Sequence, residues 1–203
     1  MDVVKLSRRS LLAGVAASLS GCGALASLNA ASATLDTYDL TPVPGSTAGR
    51  RTRRTLVVAR PSGPAGILTD RIMVKPTPSA ITFLPDARWP DELPAVLQSL
   101  LIRSISGTGR LGYVGTAEGG PVPDLALLTR IDAFQVEIEG ETLVARMAMQ
   151  LTLLRDNDQR VLANRSFTTS VPSPGDAPAE IVGAFQAGLN VLLPQMADWV
   201  ASV

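Results

Sequence analysis

The sequence predicts a mixed α/β fold (α+β in how it segregates strands and helices). The expected sheet contains a three-stranded antiparallel meander, with two amphipathic helices on one face. Three observations carry this. Residues 125–139, 143–155 and 161–171 are long β-rich runs, and the second alternates apolar and polar side chains with a period of two. Leu93, Val96, Leu97, Leu100, Leu101 and Ile105 share one helical stripe. Ile181, Phe185, Leu189, Leu192, Met196 and Trp199 form a second stripe of the same period.

Read from its N-terminus, the chain begins with Arg8-Arg9 and then an apolar run, Leu11–Leu19, that ends in Leu19-Ser20-Gly21-Cys22. A basic start, a short apolar stretch and small residues mark an export signal rather than a structural element. The run falls well short of the ~20 residues a membrane-crossing helix requires. Cys22 is the sole cysteine, and its setting resembles a bacterial lipobox. That resemblance implies a diacylglyceryl thioether at Cys22, cleavage of residues 1–21 as the signal peptide, and acylation (palmitate among the chains) of the new amino terminus. The competing reading is an ordinary secretory signal cut further on, after Ala31 or Ala33. Arg8-Arg9 is compatible with both twin-arginine and Sec export. Gly23 after the cysteine points to the outer membrane, since an aspartate there accompanies inner-membrane retention.

Residues 22–54 are expected to be a flexible, lipid-anchored tether, rich in Ala, Ser, Thr, Pro and Gly. Its end, Arg50-Arg51-Thr52-Arg53-Arg54, reads either as a solvated linker or as a basic patch for anionic lipid head groups. The folded domain is placed at 55–203. Extended segments are expected at 55–60, 67–74 and 80–84, the last two separated by Pro76-Thr77-Pro78. Asp91 is positioned to cap the first helix and Gly107 to stop it. A glycine-rich loop then spans 109–123. Gly140-Glu141 and Asp156-Asn157-Asp158 supply the turns of the meander. The last helix follows Pro172-Ser173-Pro174-Gly175 with Asp176 as its cap, and Pro194 is expected to kink or split it.

Composition bounds the chemistry. The chain has no histidine, and Lys75 is the one lysine beyond the signal segment. Histidine-based nucleophile activation and most zinc sites are thereby excluded. No serine stands three residues before Lys75, so a Ser-Lys scheme has no footing. A carboxylate-pair hydrolase remains formally open, but a non-enzymatic protein without cofactor or metal is expected. The signal segment removes more basic than acidic residues from a chain of zero formal charge, leaving a slightly acidic protein unsuited to nucleic acid.

Gly107-Thr108-Gly109-Arg110-Leu111-Gly112 matches G-x-G-x-x-G. It follows a helix instead of preceding one, which is the wrong polarity for a pyrophosphate site. Asp156-Asn157-Asp158 lacks the glycine and glutamate of a calcium loop. Met147, Met149 and Phe134 suit either a sheet core or a pocket for acyl chains. Trp89 suits the edge of the core.

Cys22, Tyr38-x-Leu40, Asp70-Arg71-Ile72, Arg88-Trp89, the meander and the closing helix occur in an order that resembles the ABC-type transport auxiliary lipoprotein family (PqiC-like). Pro90 departs from the family pattern at the helix start. The resemblance covers nearly all of the mature chain. It implies a fold similar to the N-terminal α/β domain of TolB, with Tyr38, Leu40, Asp70, Arg71, Arg88 and Trp89 as structural or partner-facing residues. It also implies a periplasmic, lipid-anchored component of an ABC/MCE transport system moving lipid or organic solute between the membranes. Its partners would be an MCE-domain substrate-binding protein and the ABC permease and ATPase, with lipid as a candidate ligand. An envelope assembly lipoprotein unconnected with a transporter is the alternative.

Overall fold

The computed structural model describes residues 35–203; Cys22 and the signal segment lie outside the described residues. The strands are β1 (Asp36–Thr37), β2 (Thr55–Val58), β3 (Arg71–Thr77), β4 (Ala80–Arg88), β5 (Tyr113–Gly115), β6 (Leu125–Glu139), β7 (Thr142–Arg155) and β8 (Arg160–Pro172). The helices are α1 (Leu93–Ser106) and α2 (Pro178–Ser202). As expected, the fold is mixed α/β, with one sheet and two helices that close one buried core.

Strand β6 is the spine of the sheet. Along one edge it pairs antiparallel with β7 over its full length, and β7 pairs with β8 in turn. The opposite edge is divided: β2 lies parallel to Leu125–Leu127 and β3 lies parallel to Val136–Glu137. Ser62 bridges the interval at Arg130. Beyond this edge, β5 extends β2, β4 forms a hairpin with β3, and β1 adds to β4 in parallel.

The meander follows from its pattern. Ala145, Met147, Met149, Leu151 and Leu153 of β7 are all buried on one face. The opposite face carries polar ladders, with Gln150 Nε2 donating to Asn164 Oδ1 and Asn164 Nδ2 to Thr152 Oγ1. This alternation is what one covered face and one wet face require. Arg165, which interrupts the apolar side of β8, lies 5.0 Å over the Phe167 ring, a cation–π contact.

Several boundaries differ from expectation, each for a local reason. Residues 67–70 form turns instead of a strand, because Ile67 and Leu68 donate back to the carbonyls of Pro64 and Ala65. The glycine-rich loop contains β5, recruited by parallel pairing with β2. Asp91 is not the cap of α1. The position before the helix is Glu92, and the Leu93 N–H donates to the Thr69 carbonyl at 3.1 Å. A distant backbone oxygen thus satisfies a helix-start donor that the sequence assigned to a side chain. In α2 the cap position is Ala177 rather than Asp176, and Glu180 accepts the Ala177 N–H.

Pro194 does not split α2, which runs from Pro178 to Ser202. Leu192, Leu193, Met196, Ala197 and Val200 are buried on either side of it. Their burial at 1.5–3 kcal/mol per large side chain outweighs the ~3 kcal/mol cost of an internal proline.

The tether expected at 22–54 is also revised over its described part. Leu40 is 1% exposed, and Val43 packs on the core. The N–H groups of Thr41, Val43 and Ser46 donate to Gln186, Ser104 and Asp198 respectively. From Asp36 onward the segment is docked across both helices, so it belongs to the domain.

Candidate functional site

The residues singled out by sequence converge on the junction where β1, β3 and β4 meet the start of α1. Arg71 and Arg88 face each other across the β3–β4 pair. The Tyr38 N–H donates to the Arg88 carbonyl at 2.9 Å, and the Trp89 N–H donates to the Asp70 carbonyl at 2.8 Å. Arg88 Nε donates to Thr37 Oγ1, and its guanidinium lies 3.8 Å from the Asp70 carboxylate. Arg71 donates from a terminal nitrogen to the Leu84 carbonyl, lies 5.7 Å from the Phe83 ring centroid, and keeps its Nε buried without a partner.

Below this polar lattice is an aromatic cluster. Trp89, 1% exposed, meets Phe134 and Phe185 edge-on at 6.0 and 5.6 Å, and those two rings stack at 4.8 Å. Leu40 belongs to the same core. Together the motif residues form a clamp joining the sheet, both helices and the docked N-terminal segment. Tyr38 and Arg71 are half-buried, and the Asp70–Arg88 pair reaches solvent; an exposed ion pair of this kind contributes little by itself. Thr69 belongs to the clamp although the sequence did not single it out: its carbonyl starts α1 and its hydroxyl accepts the Arg71 N–H at 3.1 Å. The available signal was its position before Asp70, since Ser and Thr side chains commonly bond backbone two residues on.

The other sequence candidates resolve as structure. Met147 and Met149 are fully inside the core, with Gly188 of α2 directly against the Met147 methyl. Asp158 pairs with Arg155 and Gln159 adopts a positive φ of 55°, which closes the β7–β8 turn. Gly109 also turns through positive φ, and a Cβ on Gly112 would meet the Arg53 backbone at 2.7 Å. The glycine-rich string thus serves close packing of two backbone segments. Among the described residues there is no group of three or more His, Cys, Asp or Glu suited to a metal.

A second assembly lies at the end of the sheet where β2, β5 and β6 begin. Thr52 donates to the Arg110 carbonyl, and Gly112 donates to that of Arg54. The basic run is thereby laid along the wall of a cleft of about 440 Å³ that also contains Arg110 and the end of α2. Arg110 is 9% exposed; it pairs with Asp198 at 3.7 Å and donates to the Ala201 carbonyl. Its membership was invisible in sequence, because it arises from the β2–β5 pairing between distant segments. The nearby Asp124 carboxyl is held below its ordinary range by hydrogen bonds from the Thr55 N–H and hydroxyl.

Comparison with known proteins places these features in context. The family model described as the ABC-type transport auxiliary lipoprotein component matches residues 38–197, a span that starts at Tyr38 and includes the whole clamp. An uncharacterized protein of Bradyrhizobium diazoefficiens is 28% identical over 165 residues, covering 80% of this chain and 44% of that protein. The chain thus spans less than half the length of that relative. A crystal structure of a Xanthomonas campestris protein of family DUF330 superposes with a TM-score of 0.74 at 26% identity, covering 82% of this chain and 95% of the other. A second crystal structure, of an uncharacterized protein, gives a TM-score of 0.62 at 16% identity over 83% of this chain and 97% of that one, a likeness of fold.

Proposed function

The chain belongs to the ABC-type transport auxiliary lipoprotein family, and from that premise we propose that it is a non-enzymatic adaptor of an ABC/MCE-type system carrying lipid or organic solute between the inner and outer membranes. The observation that carries the reading is the family match over residues 38–197, nearly all of the folded domain. In this reading Cys22 bears the lipid anchor and the protein works in the periplasm, tethered to the outer membrane. Three acyl chains at ~0.8 kcal/mol per buried CH₂ hold firmly, where a single chain is marginal. The domain is already docked from Asp36, so Asp36 to Arg54 belong to the domain and not to the tether. No helix among the described residues is long and apolar enough to cross a membrane.

Two measurements test the proposal. Cys22→Ala is expected to move the exported protein from the membrane fraction to the soluble periplasm, and retention in the membrane would refute the anchor. Affinity capture of the lipidated protein from solubilised envelopes, read by mass spectrometry, is expected to recover an MCE-domain protein with its permease and ATPase. Recovery of envelope assembly machinery in their place would establish the alternative reading.

A further inference from the structure

We propose that the arginine-lined end of the sheet is a binding site for a single anionic phospholipid-class amphiphile, with its phosphate on the arginines and its acyl chain along the adjoining apolar wall. The proposal deepens the lipid-transport reading and rests on it for the ligand class.

Arg50, Arg51, Arg53 and Arg54 are all exposed. No acidic side chain among the described residues lies within ion-pairing distance of any of them. The acids at this end are engaged elsewhere. Asp124 accepts from Thr55, Asp158 pairs with Arg155, and Asp198 holds Arg110 and the Ser46 N–H. Arg54 donates to the Val203 carbonyl and acts on the nearby Asp124 carboxylate, which leaves Arg50, Arg51 and Arg53 without an acidic neighbour among the described residues. Three such guanidinium groups on one short segment, in a protein without net positive charge, create a local field that draws anions.

Arg110 reinforces this field. It is more than nine-tenths buried, lines the same cleft, and its Nε has no hydrogen-bond partner. The rest of its guanidinium is held by Asp198 and the Ala201 carbonyl, so Arg110 adds a fixed positive charge to the cleft wall behind the exposed arginines.

The amphiphilic character comes from what adjoins the arginines. A second cleft of about 590 Å³ shares Arg54, Leu125 and Val203 with the first and continues past Leu162 to Val122. Val122 is 89% exposed and Val203 41% exposed. Asp124, Arg155 and Asn157 share this second cleft with Val122, Pro123, Leu125 and Leu162, so a phosphate held at Arg50–Arg54 has one apolar strip beside it, which a free inorganic anion would not use.

The test uses the mature chain from residue 22 with Cys22→Ala, so that an anchor does not mask binding. Calorimetric titration would compare three probes: soluble dihexanoyl phosphatidylglycerol, dihexanoyl phosphatidylcholine and inorganic phosphate. Saturable binding of the phosphatidylglycerol is expected, at least tenfold tighter than either of the others and weakening as salt is raised. Replacing Arg50, Arg51, Arg53 and Arg54 by Gln together is expected to weaken it roughly 100-fold or more, given the contribution of each basic residue beside an anionic lipid. Val122→Ser should weaken phosphatidylglycerol and leave phosphate binding unchanged. Should the quadruple variant lose its native circular dichroism, the Arg51→Gln/Arg53→Gln pair serves, with a tenfold loss expected.

Equal affinity for the two lipids, or an unchanged affinity in the arginine variants, overturns the proposal. Phosphate binding as tight as phosphatidylglycerol reduces the site to a simple anion site and overturns the amphiphile claim. Failure to recover transporter subunits would count against the proposed function while leaving this titration untouched.

Discussion

At the scale of single residues, Trp89 is the side chain on which the clamp depends most. It is fully buried, contacts two aromatic rings edge-on, and its backbone N–H ties β4 to Asp70. Trp89→Ala is expected to cost ~3–5 kcal/mol, because the cavity forfeits the transfer energy and the ring contacts together. Chemical denaturation would show this as a lower midpoint with an unchanged slope. Glu137 makes a pH-dependent contribution. Burial raises its carboxyl, but hydrogen bonds from Gln135 and Arg146, and the charges of Arg146 and Lys75, outweigh this and hold it below the ordinary value of 4.5. A lowered folded-state value means that the stabilisation is complete above the unfolded value and disappears as pH falls through the folded one. The denaturation midpoint of the native chain should therefore exceed that of Glu137→Gln at pH 6, and the two should converge on acidification below about pH 4.5. Trp89 and Arg88 were recognisable in the sequence as a motif. That they are a packing device follows from partners such as Phe185 and Thr69, which lie far along the chain or carry no distinctive pattern.

At the scale of elements, the docked segment before β2 shows how composition misleads. Its Pro, Gly, Ser and Thr content reads as a linker, yet two apolar side chains and side-chain acceptors on α1 and α2 are enough to hold it. Leu40→Ala is expected to cost ~2–5 kcal/mol and to make the bonds around residues 41–49 susceptible to limited proteolysis at protease levels that leave the native chain intact. The glycine-rich stretch misleads in the opposite direction, since a nucleotide-like string proves to be a close crossing of two backbones. Gly112→Ala should lower the thermal midpoint, since its Cβ would lie 2.7 Å from the Arg53 carbonyl oxygen. Arg53 lies in the basic run, so the same variant is expected to perturb the arginine-lined cleft. Helix starts were the least readable features. Both N-terminal caps fall one residue after the aspartates that the sequence suggests, because the donors concerned are satisfied by the Thr69 carbonyl and by the Glu180 carboxylate.

At the scale of the whole molecule, one continuous core joins sheet and helices, so cooperative unfolding is expected, with coincident loss of near- and far-ultraviolet circular dichroism. Separated transitions would show that the clamp and the meander melt as independent units. The sequence by itself determined the elements whose period is local: the meander, both helical stripes and the polar outer face, since a period of two or 3.6 is written in neighbouring residues. It also carried the family resemblance, because those motifs are short strings in a fixed order. Tertiary structure alone decided the strand order, with β2 and β3 sharing one edge of β6, since parallel pairing joins segments that carry no mark of one another. For the same reason only the folded chain brings Arg110 beside Arg50–Arg54, and turns a basic linker into the wall of a cleft.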